Sequence, residues 1–165
     1  LNVPYDSGVV FTAHPASHRR AMTLSAAYII ESAKERDPHE FVPEESRRGR
    51  AVPIYAAIRT MGRHGFGALI DRCCTLATHL ATRLRADDRL EILNDVVLNQ
   101  VLVRVRGTDA DARTKQMVER LQQEGTCWAS GTTWHGMAAL RLSVSNYSTT
   151  EKDIDRTAEA ILKVV

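Results

Sequence analysis

The C-terminal half of the sequence predicts an α+β layer, helices against one face of a mostly antiparallel sheet. Three observations predict it. Residues 100–106 alternate Val101, Val103 and Val105 with Leu102, Arg104 and Arg106, the period of a half-buried strand. Residues 66–85 carry Leu69, Cys73, Leu76, Leu80 and Leu84 at spacings of three and four, which makes one apolar helical stripe. From residue 88 onward the order reads strand, strand, helix, strand, strand, helix.

Taken from the N-terminus, Tyr5-Asp6-Ser7-Gly8 reads as a turn and Ser7–Thr12 as a strand, with Val9, Val10 and Phe11 as its apolar run. Residues 15–45 have weak periodicity. Pro53 sits near a helix start, and Ile54–Met61 is apolar until Gly62 stops it. The helix over 66–85 comes next. Leu90–Leu93 and Gln100–Arg106 read as strands, and Thr108 is the expected N-cap of a helix that runs to Glu124 and closes at Gly125. Thr126–Ser130 and Ala138–Ser145 are two further expected strands, joined by the GTTWHG stretch (131–136) as a hairpin connection with an aromatic plug. Ser148-Thr-Thr-Glu151 has the form of a capping box, opening a helix whose Ile154, Ala158, Ile161 and Val165 share a face. That second half can stand as a small domain. The first half cannot, because a lone strand needs a sheet to join. The expectation is that its partner strands lie upstream of Leu1 and that the chain is the C-terminal part of a longer one.

Composition excludes several classes. Of the 165 residues, 44% are hydrophobic and 25% charged, as in an ordinary globular protein. No apolar run approaches the roughly 18 residues of a spanning helix, so no membrane partner is expected. A net charge of +2 gives no reason to expect nucleic acid. Cys73 and Cys74 are adjacent and fit no CxxC spacing, Cys127 stands alone, and the six histidines form no paired zinc motif. A reduced, cytoplasmic protein without a metal is the simplest reading. Cys73 and Cys74 lie on or beside the apolar stripe and read as packing residues.

Four stretches together resemble the group II pyridoxal-phosphate-dependent decarboxylases, the family of aromatic-amino-acid, glutamate and histidine decarboxylases. They are LNVPYDSGVVFT (1–12), LSAAYI (24–29), ESRRGRAVPIYAAIRTMG (45–62) and ALRLSVSN (139–146), in the family's order and spacing. The resemblance runs essentially end to end and implies an α/β enzyme of the aminotransferase-like fold type I. Residues 1–62 are then the end of the large cofactor-binding domain, 63–87 a linking helix and 88–165 the α+β small domain. It implies pyridoxal 5′-phosphate as cofactor and a homodimer with shared active sites. It also places the cofactor-binding lysine just before Leu1. Lys34, Lys115, Lys152 and Lys163 lie outside the expected motif, so the chain alone is expected to be inactive.

The same resemblance singles out four residues. Tyr28 in LSAAYI aligns with the tyrosine of the family's mobile loop, implicated in protonating the carbanion after carbon dioxide leaves. A phenol under a closed loop suits that task. Without the resemblance Tyr28 reads as a packing residue beside Leu24 and Ile29. Arg141 shares a strand face with Ser143 and Ser145, opposite Leu140, Leu142 and Val144, and the bland reading is a solvated face. The resemblance puts Arg141 where fold type I enzymes hold an arginine near the substrate carboxylate, a partner that suits its planar fork. Ser46 and Arg47 become cofactor-pocket candidates contributed across the dimer interface, with Arg48 and Arg50 as interface ion-pair residues; a solvated charge run is the ordinary alternative.

Two competing readings differ in class. One is a non-catalytic α+β binding or dimerisation module, supported by the missing lysine. The other is a pyridoxal-phosphate lyase of the same fold acting on another bond, such as an aldehyde-forming enzyme. The substrate expected for the leading reading is an L-amino acid.

Overall fold

The structure, a computed structural model, describes residues 3–24, 36–43 and 48–165. They divide into two compact units, Val3–Ala57 and Ile58–Val165.

In the first unit, Ser7 N–H donates to Pro4 O at 3.2 Å, closing the expected turn around Tyr5 and Asp6. The strand expected over Ser7–Thr12 is not there: the segment is irregular, and Val9, Val10 and Phe11 are exposed. A strand exists only as one member of a ladder, and no described residue pairs with this one. Helix α1 (Pro15–Met22) starts with proline at its first position, where the missing N–H costs nothing, and buries no residue. A 3-10 helix, Pro38–Phe41, is capped by Asp37, whose Oδ1 accepts the His39 N–H at 3.4 Å. Polar ties hold these pieces. Arg19 pairs with the buried Glu40, and Arg50 with Asp6 at 2.5 Å. Arg36 lies 4.2 Å from the centroid of the Phe41 ring.

Helix α2 runs Ala51–Arg85 and breaks at Gly62, whose φ 62° and ψ -177° are open essentially to glycine alone. The stop expected at Gly62 is therefore a break rather than an end, and helical geometry resumes directly after it. The apolar stripe is borne out: Leu69, Cys73, Leu76, Leu80 and Leu84 are all buried.

The second unit carries β1 (Leu90–Ile92), β2 (Gln100–Val105), α3 (Ala110–Glu124), β3 (Ser130–Trp134), β4 (Met137–Ser143) and α4 (Glu151–Val164). The four strands form one antiparallel sheet in the order β1-β2-β4-β3. Val101 and Val103 face Leu142 and Leu140 across the β2–β4 ladder, and with Val105 they join α2, Met117, Val118 and Leu121 of α3, and Ile154, Ala158 and Ile161 of α4 in one core. The buried hydroxyl of Thr114 accepts the Val105 N–H at 3.0 Å and so pins α3 to the end of β2.

Four expectations are corrected. The N-cap of α3 is Asp109, in the left-handed region at φ 55°, not Thr108. Asp109 reaches this conformation because its short polar side chain tolerates it. Thr126–Ser130 is mostly not a strand; the strand is Ser130–Trp134 itself. GTTWHG is therefore not a loop: only His135 and Gly136 form the turn, at φ 48° and 79°, the two positive values that a tight two-residue hairpin demands. The capping box lies two residues later than expected. Thr150 accepts the Asp153 N–H, and Asp153 Oδ2 takes back the Thr150 N–H at 2.9 Å.

Candidate functional site

Of the four candidate residues, Tyr28, Ser46 and Arg47 fall within 25–35 and 44–47 and lie outside the described residues. Arg141 is described. The alternation of β4 buries Leu140, Leu142 and Val144 and leaves Arg141, Ser143 and Ser145 exposed on the opposite face, as the sequence pattern requires. In register, Arg141 stands between Leu102 of β2 and Ser130 of β3.

The neighbouring row of that face holds a second arginine, and the two are treated differently. Arg104 is largely buried. It lies 3.6 Å from Glu91 of β1, pairs with Asp111 of α3 and donates to Ala138 O at 3.3 Å. Asp111 in turn accepts the Ala138 N–H at 3.0 Å, and this backbone hydrogen bond, with Arg104 adding to it, holds its carboxyl below the usual range. Arg104 is thus committed. Arg141 has no hydrogen-bond or ion-pair partner among the described residues, so its guanidinium is open to an anionic group. Sequence reasoning missed the Arg104–Asp111–Glu91 cluster. A carboxylate in the first turn of the helix after an arginine-bearing strand was the available signal.

Ser143 and Ser145 line a cavity of about 460 Å³ together with Cys127, Trp128, Asp153 and Thr157, and Arg141 is not part of its wall. Burial pushes the Cys127 thiol up, away from the reactive thiolate. Asp153 is held low by the Thr150 hydroxyl and is occupied with capping α4. The remaining shifted acids are structural as well: Arg89 holds Asp87 down to about 2, and Arg50, His39 and Thr126 hold Asp6, Asp37 and Glu124 below the usual range.

A family model described as the pyridoxal-dependent decarboxylase conserved domain matches residues 1–106. A 3,4-dihydroxyphenylacetaldehyde synthase of Aedes aegypti is 27% identical over 109 residues, covering 66% of this chain and 20% of that protein. Among solved structures, Oryza sativa TDC with PLP and tryptamine superposes with a TM-score of 0.79 at 23% identity, covering 88% of this chain and 32% of that one. Catharanthus roseus tryptophan decarboxylase in complex with L-tryptophan gives 0.74 at 21%, covering 88% and 32%. Mouse CSAD gives 0.75 at 16%, covering 89% and 34%. The chain thus shares the fold of the matching part of these proteins and spans no more than about a third of their length.

The described residues do not by themselves make a pyridoxal phosphate cradle. Lys115 is exposed on α3, Lys152 is exposed in the first turn of α4, and Lys163 is paired with Glu124 at 3.3 Å. None of these three lysines is enclosed among groups that could hold a phosphate and a ring.

Proposed function

Because the chain belongs to the pyridoxal-dependent decarboxylase family, by a match over residues 1–106, we propose that it is part of an enzyme that releases carbon dioxide from an L-amino acid to leave an amine. That match carries the reading. The family's cofactor supplies the electron sink for the departing carboxylate; the protein's task is to orient the substrate and manage water and protons.

Within this reading Arg141 holds a carboxylate, of the substrate or of a closing loop. Its support is the contrast with Arg104: one arginine of this sheet face is tied down on three sides, the other is open. Tyr28 contributes a phenol proton to the α-carbon. Ser46 and Arg47 reach the cofactor phosphate across a homodimer interface. Residues 1–62 belong to the large domain, 63–87 to a linking helix and 88–165 to the small domain, and the break at Gly62 and the end of α2 at Arg85 favour these divisions. The absence of an enclosed lysine among the described residues supports inactivity of the chain alone. Three free cysteines favour a reducing, cytoplasmic setting.

A second reading rests on the Aedes aegypti relative, which is an aldehyde synthase by name. The two readings share fold and cofactor and differ in the chemistry after carbon dioxide loss. One experiment separates them. A polypeptide that carries this sequence together with the cofactor-binding lysine is given aromatic and acidic L-amino acids, and carbon dioxide, amine and aldehyde are measured. Amine as the main product supports the proposal, and replacing Tyr28→Phe should then lower amine yield by about 100-fold or more. Aldehyde as the main product supports the second reading. Carbon dioxide release by the 165-residue chain alone would refute the assignment of the lysine to another segment.

A further inference from the structure

The sheet has two edges of different character. β1 is three residues long and carries Glu91, which lies 3.6 Å from Arg104 and 3.7 Å from Arg106. β3 is five residues long, SGTTW, with neither charge nor proline, and among the described residues no strand lies along its outer side. Short, charged edges resist further pairing, whereas an uncharged one is a template for another strand.

The turn decides which groups face outward. Trp134 and Met137 flank the two-residue turn His135-Gly136, so they are the hydrogen-bonded pair that closes the hairpin. By alternation Thr132↔Ala139 and Ser130↔Arg141 are hydrogen-bonded pairs too. Gly131 and Thr133 are left with their N–H and C=O directed away from β4. Both are exposed, and both line a mainly apolar groove of about 360 Å³ whose other wall is α3, with Lys115, Val118 and Glu119.

We propose that this edge docks a second copy of the chain, β3 against β3 in antiparallel pairing about a two-fold axis through Thr132. Three features select a second copy over any other occupant. Pairing about Thr132 sets outward-facing Gly131 opposite outward-facing Thr133 of the second copy, and the reverse, so every outward donor meets an outward acceptor. A register centred on Gly131 or Thr133 pairs one of these two residues with itself and sends the other beyond the end of β3, to Ala129 or His135 of the second copy, so that only the Thr132 register keeps both within the strand. Thr132 meets its own equivalent, a favourable cross-strand pair. Lys115 and Glu119, four residues apart on α3, come opposite Glu119 and Lys115 of the second copy, the self-complementary charge pattern of a two-fold interface. The two sheets become one, with α3 of each copy on the same side. This contact is separate from the shared-site dimer proposed above and does not rest on it.

The test is amide hydrogen exchange on the full chain across a dilution series, beside sedimentation velocity on the same samples. Exchange at Gly131 and Thr133 should slow by about tenfold or more from the most dilute to the most concentrated sample, in step with one association. Lys115→Glu sets like charges against each other and should abolish most of that protection, and Lys115→Glu with Glu119→Lys should restore it. Thr133→Pro removes an outward donor while leaving the Thr132 pairing intact, and should remove the association step. Exchange at these two amides that does not vary with concentration overturns the proposal. So does protection already complete in the most dilute sample, since another segment of the same chain would then cover the edge. If Thr133→Pro fails to fold, the charge reversal and its restoration decide alone.

Discussion

The two units of the chain are held by different forces. Ile58–Val165 contains the apolar core, built from three helices and a sheet, with Leu80, Leu84, Leu121, Leu140 and Ile161 at or near zero exposure. In Val3–Ala57, Glu40 is the one buried residue among those described, and the ties are Arg19–Glu40, Asp6–Arg50 and the Arg36–Phe41 stack. Apolar burial accumulates with area and survives single changes in geometry, whereas exposed ion pairs contribute little each. The lesson concerns where chemistry can live. Of the four candidate residues, Arg141 is the one among the described residues, and it stands on the sheet of the apolar unit, between Leu102 and Ser130.

The contrast can be broken most forcefully at the core. Leu80→Ala should lower unfolding stability by about 2–5 kcal/mol, read from urea denaturation, because it leaves a cavity under α2. Phe11→Ala, at 93% exposure, should change it by less than about 0.5 kcal/mol. Equal effects would mean that the two regions are not held as differently as their burial implies. Gly136→Ala should cost about 1–2 kcal/mol, since φ 79° forces the new Cβ into a left-handed conformation; a smaller loss would show that the hairpin can change turn type. Thr150→Ala should cost about 1 kcal/mol and speed amide exchange in the first turn of α4 only.

The smallest effect is in acid, and it reaches both units. Asp6 and Asp87 have folded-state values depressed by Arg50 and Arg89, that of Asp87 to about 2. A depressed carboxylate adds stability above its unfolded value near 4 and loses it as pH falls from about 4 toward 2. Asp6 is exposed and Asp87 only partly buried, so the loss should be small. Carboxyl chemical-shift titration should give each a midpoint below that of a free aspartate, and Arg89→Gln should return Asp87 toward about 3.9.

Legibility in the sequence tracked the range of the interactions. The α2 stripe, the alternation of β2 and β4 and the closure of α3 at Gly125, with its φ of 80°, were readable because each depends on residues within a few positions. The capping box slipped by two because Ser148-x-x-Glu151 and Thr150-x-x-Asp153 satisfy the same local pattern, and it is the second that makes the reciprocal bonds. GTTWHG looked like a loop since Gly and Thr are common turn residues, yet pairing with Met137–Arg141 makes Gly131–Trp134 strand. Ser7–Thr12 failed for the opposite reason: β propensity without a partner strand makes no ladder. For the site, the openness of Arg141 was legible from alternation. The commitment of Arg104 was not, since Asp111 reaches it only once α3 has turned back across the strands.

The strand order carries one more consequence, for how the molecule assembles itself in time. β3 and β4 are joined by two residues and β1 and β2 by seven, so each is a local hairpin of the kind that closes within about 1–10 μs. The β2–β4 ladder joins Gln100–Val103 to Leu140–Ser143 across the whole of α3. Loop closure over that span is the slower step. Two preformed hairpins meeting along one central seam, with α3 laid over it, is the route that the connectivity favours. Val103→Ala and Leu140→Ala, on either side of that seam, should therefore slow refolding more than they speed unfolding.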